Sequence, residues 1–327
     1  MAHYIIRRFM AMFVSIILMS VVAFVLISLP PGSYLELYIM RLEASGQEVD
    51  QSMIENLTIR YGYNQPFVVQ YYKWVSGFWR GDLGRSFQWG KPVLDLIQER
   101  LPFTLILAFG TIFFTFAVSI PIGIYSATKQ YSPGDYVATI FGFLGLATPN
   151  FLLALILMYF LFKFFGIPPG GLFSREFVDA AWSFGKFVDL LKHLIVPIIV
   201  VGTAGTAGLI RTMRGMLLDE LSKDYVDTAR MKGVSERKAL YKYPVRVAIN
   251  PLISTIGWLL PSVISGATIT SIVLNLPTLG PLLLNALMSQ DMYLAGSIVL
   301  ILTMLTLVGT FVSDILLAWS DPRIRYN

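Results

Sequence analysis

The sequence predicts an all-α, polytopic membrane protein with six transmembrane helices. Three observations lead there. The composition is 55% hydrophobic and only 14% charged over 327 residues, far from the balance of a water-soluble domain. Six stretches free of Asp, Glu, Lys and Arg approach or exceed the roughly 20 residues a helix needs to cross a hydrocarbon core of about 30 Å. The basic residues gather at the ends of those stretches, as membrane topology requires.

The first stretch runs from Phe9 to Leu29. Arg7 and Arg8 precede it, as in a secretory signal, but its 21 uncharged residues exceed a cleavable apolar region and end in Leu29-Pro30-Pro31-Gly32 rather than a small-residue site, so a retained helix is expected. The second runs from Leu101 to Thr128, the third from Tyr136 to Phe162 and the fourth, shorter, from Leu194 to Ile210. No charge falls between Arg246 and Asp291, yet Pro277, Gly280 and Pro281 interrupt that run. A fifth helix is therefore placed over Asn250 to Leu274, followed by a non-helical segment, and the sixth over Met292 to Leu317.

Lys and Arg set the orientation. Arg7 and Arg8, Lys129, nine basic residues between Arg211 and Arg246, and Arg323 with Arg325 all fall on one side, which the positive-inside rule makes cytoplasmic, together with both termini. Four parts are expected: an N-terminal transmembrane helix over 1–30, an extracytoplasmic segment over 31–100, a five-helix core over 101–320 with a cytoplasmic loop over 211–246, and a tail over 321–327. In the outer segment, Tyr71, Tyr72, Trp74, Phe78 and Trp79 read as an interfacial belt or packed cap rather than a ligand cage.

Several chemistries are excluded. The net charge of +5 sits at helix ends, not on a soluble face, so no nucleic-acid partner is expected. There is no cysteine, and hence no thiolate site. The apolar stretches hold almost no ionisable residue of the kind that ion-coupled carriers need at mid-membrane; Asp314, near the inner end of the sixth, reads as a capping residue or the partner of Arg323 or Arg325. His3 and His193 lie at helix margins without metal or acid-base spacing. A phosphate loop is only approximated by Gly84 to Lys91: five residues separate Gly84 from Gly90-Lys91 where four are required, and Pro92 replaces the hydroxyl residue.

The loop after the fourth helix remains. It reads as two short helices, with Tyr225, Val226 and Ala229 on one side of the first, Gly233 as a left-handed C-terminal cap and Ser235 as the cap of the second. Nine basic against five acidic residues fit a solvated loop near headgroups as well as a docking element.

The segment from Asp224 through Asp227-Thr228-Ala229-Arg230-Met231-Lys232-Gly233-Val234 to Arg237 resembles the coupling (EAA) loop of ABC importer permeases of the oligopeptide/dipeptide/nickel family. Tyr4 to Arg8, Gly81-Asp82-Leu83-Gly84-Arg85-Ser86, Arg100 to Thr104, Leu279-Gly280-Pro281 and Asp321 to Tyr326 extend the resemblance over the whole chain. It implies a type I importer permease fold in the cell (inner) membrane and a non-catalytic subunit without a cofactor of its own. The implied partners are a second, homologous permease, two ATPase subunits carrying ATP and Mg, and an external solute-binding protein. Tyr225, Asp227, Ala229, Lys232, Gly233 and Val234 would contact the ATPase. The motif departs from Glu-Ala-Ala at Asp227-Thr228-Ala229. Ser271 stands near where many peptide-type members carry Glu, and the Tyr34 to Gln51 and Leu276 to Thr278 stretches look more like members handling oligosaccharides. The expected cargo is thus an oligosaccharide or short oligopeptide, with nickel or another small solute as alternative; a stand-alone channel or scaffold is the reading from another class. On the fifth helix, Thr255, Trp258, Ser262 and Ser265 recur on one face and, with Ser271, are candidate pathway residues; close helix packing explains small and hydroxyl residues equally well.

Overall fold

The computed structural model describes residues 2–28, 39–40, 43, 51–61, 64–86, 88–166 and 170–320. Among them the chain forms helices α1 (Ala2–Ser28), α2 (Gln51–Tyr61), α3 (Phe67–Trp79), α4 (Val93–Thr128), α5 (Pro133–Ala147), α6 (Asn150–Phe165), α7 (Phe184–Leu221), α8 (Asp224–Met231), α9 (Glu236–Lys242), α10 (Pro244–Ala248), α11 (Asn250–Val273), α12 (Leu279–Met288) and α13 (Met292–Ser320). Four are each long and apolar enough to cross a membrane, and up to six spans result when two bent pairs count once each: α5 with α6, and the run Glu236–Gly257 with Leu259–Val273, which bends within α11.

Two expectations are corrected. The third stretch is not one helix: α5 and α6 meet at 109°. Thr148, held extended by the proline that follows it, ends α5, and Pro149 starts α6. The segment after the fifth helix is not irregular, since α12 forms there; Pro281 lies in its first turn, where a missing N–H goes unnoticed. The helices α4 and α7 also run well past the charge-free stretches, because absence of charge marks the membrane and not the helix.

The chain divides into two compact units. One comprises the described residues of Met10–Pro102 and Thr278–Leu307. Its core centres on Phe24, whose ring lies 5.0 Å from Phe67, 5.6 Å from Tyr71 and 5.5 Å from Trp74, with Phe78 a further 4.9 Å from Trp74. Helical phase splits the outer aromatics: Tyr71, Trp74 and Phe78 pack inward, whereas Tyr72 and Trp79 are exposed. The Leu279, Leu282 and Ala286 face of α12 completes this core. The near-miss phosphate loop is a tight turn tied by Ser86 N–H to Lys91 O (2.9 Å) and Val93 N–H to Gly84 O (3.0 Å).

The other unit comprises the described residues of Met1–Phe9, Phe103–Pro277 and Val308–Asn327. Ile124, Leu209, Met213, Leu217, Val245, Ala248, Leu252 and Leu259 form its core at the end nearest the basic loop. Arg8 pairs with Asp314 at 3.1 Å. Arg323 and Arg325, the partners expected for Asp314, lie outside the described residues.

Candidate functional site

The basic loop is built outward from that core. Met213 and Leu217 on the last turns of α7, with Val245 and Ala248 on α10, are buried and fix the base of the loop. Beyond it, α8 presents Val226 and Ala229 inward, with Ala239 of α9 also buried. Asp224 and Asp227 sit in the first turn of α8, where carboxylates complement the helix dipole. The helix ends as the sequence predicts: Gly233 adopts φ +72°, its N–H reaches Arg230 O at 2.9 Å and the Val234 N–H reaches Ala229 O at 3.2 Å. These are the two bonds of a Schellman stop. Arg230 then ties the two helices together, contacting Asp227 at 3.0 Å and Glu236 at 3.2 Å.

Two details of the loop differ from expectation. Ser235 occupies the position before α9, but its side chain makes no capping bond. Tyr225 does not join the inward face: it is exposed, and its hydroxyl donates to the Glu220 carboxylate. Burial of the phenol first, then the Glu220 charge, pushes its pKa well above the usual tyrosine range. Of the six candidate coupling residues, Tyr225, Asp227, Lys232 and Gly233 are exposed, Val234 is half-buried, and Ala229 belongs to the packed side. Met231 was not foreseen. Met231 is 81% exposed, between Arg230 and Lys232, and a large apolar residue in an otherwise charged helix end was the available signal.

On α11 the candidate pathway residues separate. Ser262 and Ser265 lie on an exposed face, Thr255 is half-buried, and Ser271 is 1% exposed on the opposite side. The side chain of Trp258 lies outside the described residues. Thr255 and Ser262 donate to their own helix, at Leu252 O (2.6 Å) and Leu259 O (2.8 Å), while the buried Ser271 hydroxyl has no partner among the described residues. The packed side of α11 meets α13. Pro261 cannot donate to the Gly257 carbonyl, and Thr310 Oγ1 reaches that oxygen at 3.4 Å. A Cβ at Gly257 would lie 3.2 Å from the Thr310 Cα, so the helices approach there because the side chain is missing.

Among the described residues no group of three His, Asp or Glu side chains is placed to hold a metal ion. His193 is buried, its Nδ1 2.9 Å from Asp189 O, and that aspartate accepts from the Ser174 N–H and hydroxyl, both at 2.7 Å. These contacts anchor the segment before α7.

A membrane-embedded helical unit with a capped, outward-facing helical knob matches known transport proteins. The solved inward-facing MetNI methionine ABC transporter shares the fold, with a TM-score of 0.54 at 14% identity over 69% of this chain and 96% of its own. The chain is 36% identical over its full length, and the full length of the relative, to the oligopeptide transport system permease protein AppB of Bacillus subtilis. It is 29% identical, again with full coverage of both, to the dipeptide transport system permease protein DppB of Escherichia coli. Residues 1–108 match the N-terminal part of binding-protein-dependent transport system membrane components. Residues 119–326 match the binding-protein-dependent transport system inner membrane component, and the chain belongs to that family of importer permeases.

Proposed function

We propose that this chain forms half of the translocation pathway of an ATP-driven importer for short peptides. The observation that carries the reading is the knob at α8 and α9. Its packed side is sealed by Val226, Ala229 and Ala239, and its outer side offers Tyr225, Asp227, Met231 and Lys232 beside the Schellman turn at Gly233. A rigid helix pair of this kind transmits force from a partner, and the chain has no phosphate loop with which to bind ATP itself.

The partners are a second permease of the same family, two ATPases holding ATP and Mg, and an extracytoplasmic solute-binding protein. ATP closes the ATPase pair, the knob moves with it, and the helices rock between inward- and outward-open states. The four parts keep their proposed roles: an anchoring helix over 1–30, an outer segment over 31–100, the core over 101–320 with the coupling loop facing the cytoplasm, and the tail over 321–327. The exposed Ser262 and Ser265 of α11, rather than the buried Ser271, are the pathway residues favoured by exposure. Similarity to peptide permeases along the whole chain supports peptide cargo; of the features behind the oligosaccharide reading, Ser271 is enclosed, and most of the Tyr34 to Gln51 stretch lies outside the described residues.

The test is co-expression with the ATPases and second permease, reconstitution, and uptake of labelled tripeptides and oligosaccharides delivered by the binding protein. ATP-dependent peptide uptake supports the proposal. Uptake by this chain alone without ATP, or uptake of the oligosaccharides and not the peptides, overturns it.

A further inference from the structure

Two cavities in the unit that holds α4, α5 and α7 run into one another. The first, about 300 Å³, gathers polar side chains at one end: Ser126, Tyr131, Asp135 and Tyr136 share its lining with Arg211 and Arg214. The second, about 600 Å³, is walled by Phe114, Val118, Pro121, Ile122, Val137 and Phe141. Ala138, Gly142, Ala207 and Ile210 line both, so a polar head and an apolar trough form one continuous groove.

The charge at the head is unbalanced. Asp135 is buried and already engaged, accepting the Tyr131 N–H at 3.0 Å and lying 3.4 Å from Arg214. Arg211 is exposed, with its guanidinium 5.1 Å from the Phe143 ring centre and no carboxylate within ion-pairing distance among the described residues. Arg214 Nε is buried and donates to no described group. Two guanidinium groups against one carboxylate leave a single positive charge, the complement of one phosphodiester.

The trough fits a chain of lipid length. From Phe114 to Tyr125 the α4 wall rises about 16 Å, close to half of a hydrocarbon core of about 30 Å. The head lies where Lys129 and the basic loop gather, the side that carries anionic lipid. We propose that this groove holds one anionic phospholipid of the cytoplasmic leaflet, its phosphodiester on Arg211 and Arg214 and one acyl chain along the trough.

The test uses the full-length chain purified with its co-expressed partner subunits, delipidated, and titrated with phosphatidylglycerol or phosphatidylethanolamine while native mass spectrometry counts retained lipids. Phosphatidylglycerol should be retained at least about fivefold over phosphatidylethanolamine. Arg211→Gln should abolish that preference and Arg211→Lys should keep most of it. Ala138→Phe, which fills the shared floor without changing charge, should lower retention of phosphatidylglycerol. Equal retention of the two lipids, or a phosphatidylglycerol preference untouched by both Arg211→Gln and Ala138→Phe, overturns the proposal. So does efficient cross-linking of an Ala138→Cys variant to the second permease, since a protein would then cover the groove.

Discussion

Ser86 and Asp291, 205 positions apart, share a hydrogen bond of 2.5 Å in which the serine hydroxyl donates to a fully buried carboxylate. The same carboxylate accepts the Gln88 N–H at 3.2 Å, and its other oxygen accepts the Leu294 N–H at 3.4 Å, capping the start of α13. The Gly81 to Ser86 motif thus has a structural role: it supplies a donor to a carboxylate that would otherwise be costly to bury. Ser86→Ala should lower stability by about 1.5–3 kcal/mol, the range for a bond to a charged group. Asp291→Asn, which keeps an acceptor, should cost less than Asp291→Ala. Thermal unfolding in detergent measures both; identical melting of Ser86→Ala and the parent protein would deny the bond any energetic weight.

The membrane spans were legible because lipid imposes a single demand, about 20 uncharged residues, that leaves a direct trace in sequence. The turn at Gly233 was legible for a similar reason, since a left-handed residue at a helix end selects glycine. Direction leaves no such trace: nothing in the charge-free stretch from Tyr136 to Phe162 announced that Thr148 and Pro149 turn the chain through 109°. Pro277 does lie in the non-helical stretch between α11 and α12, but Pro281 was overread as a breaker, because a proline in a first turn is harmless and only helix position distinguishes the cases. Tyr225 escaped its apolar face because a nearby carboxylate, Glu220, offers its hydroxyl a partner, a relationship that periodicity does not encode.

Arg8 and Asp314 lie 3.1 Å apart, with the aspartate side chain 16% exposed. Removing one partner of a half-buried pair leaves the other undersolvated. Arg8→Glu should destabilise the protein by about 1–3 kcal/mol, and the exchange Arg8→Glu with Asp314→Arg should recover most of the loss. A double-mutant cycle on melting temperature reads the coupling; additive single effects would mean the two side chains act independently.

The Tyr225 phenol resists ionisation because of its partial burial and then because of the Glu220 charge. Its folded pKa therefore lies above the unfolded value of about 10. By linkage, the stability it contributes is fully present below about pH 10 and is lost as pH rises toward the folded value. Protease resistance of the loop should fall with alkalinity above about pH 10, and Tyr225→Phe should flatten that fall. A profile unchanged by the substitution would place the alkaline sensitivity elsewhere.

At Gly233 a Cβ would meet nothing within 4 Å, so substitution there is opposed by backbone conformation alone. Gly233→Ala should cost about 1–2 kcal/mol at the turn, equivalent to a roughly 5- to 30-fold drop in the population of the capped geometry. Gly233→Asn should be milder, since asparagine tolerates the left-handed region. Membrane levels should hold while ATP-dependent uptake falls in the order Gly, Asn, Ala. Equal uptake by all three would separate the turn from coupling.

The absence of cysteine makes α11 open to single-cysteine labelling without background from this chain. Ser262 and Ser265 occupy the exposed face and Ser271 the enclosed one. Three separate variants, Ser262→Cys, Ser265→Cys and Ser271→Cys, should therefore divide in the assembled transporter. The first two should react with a small membrane-impermeant thiol reagent in at least one nucleotide state, because a pathway must open to water at some point in the cycle. The third should stay unreactive in the same states. Packing and pathway make different forecasts here. If the exposed serines only let a neighbouring helix approach, assembly covers them in every state and neither labels. If they line the route, saturating peptide with its binding protein slows their labelling, and nucleotide changes it.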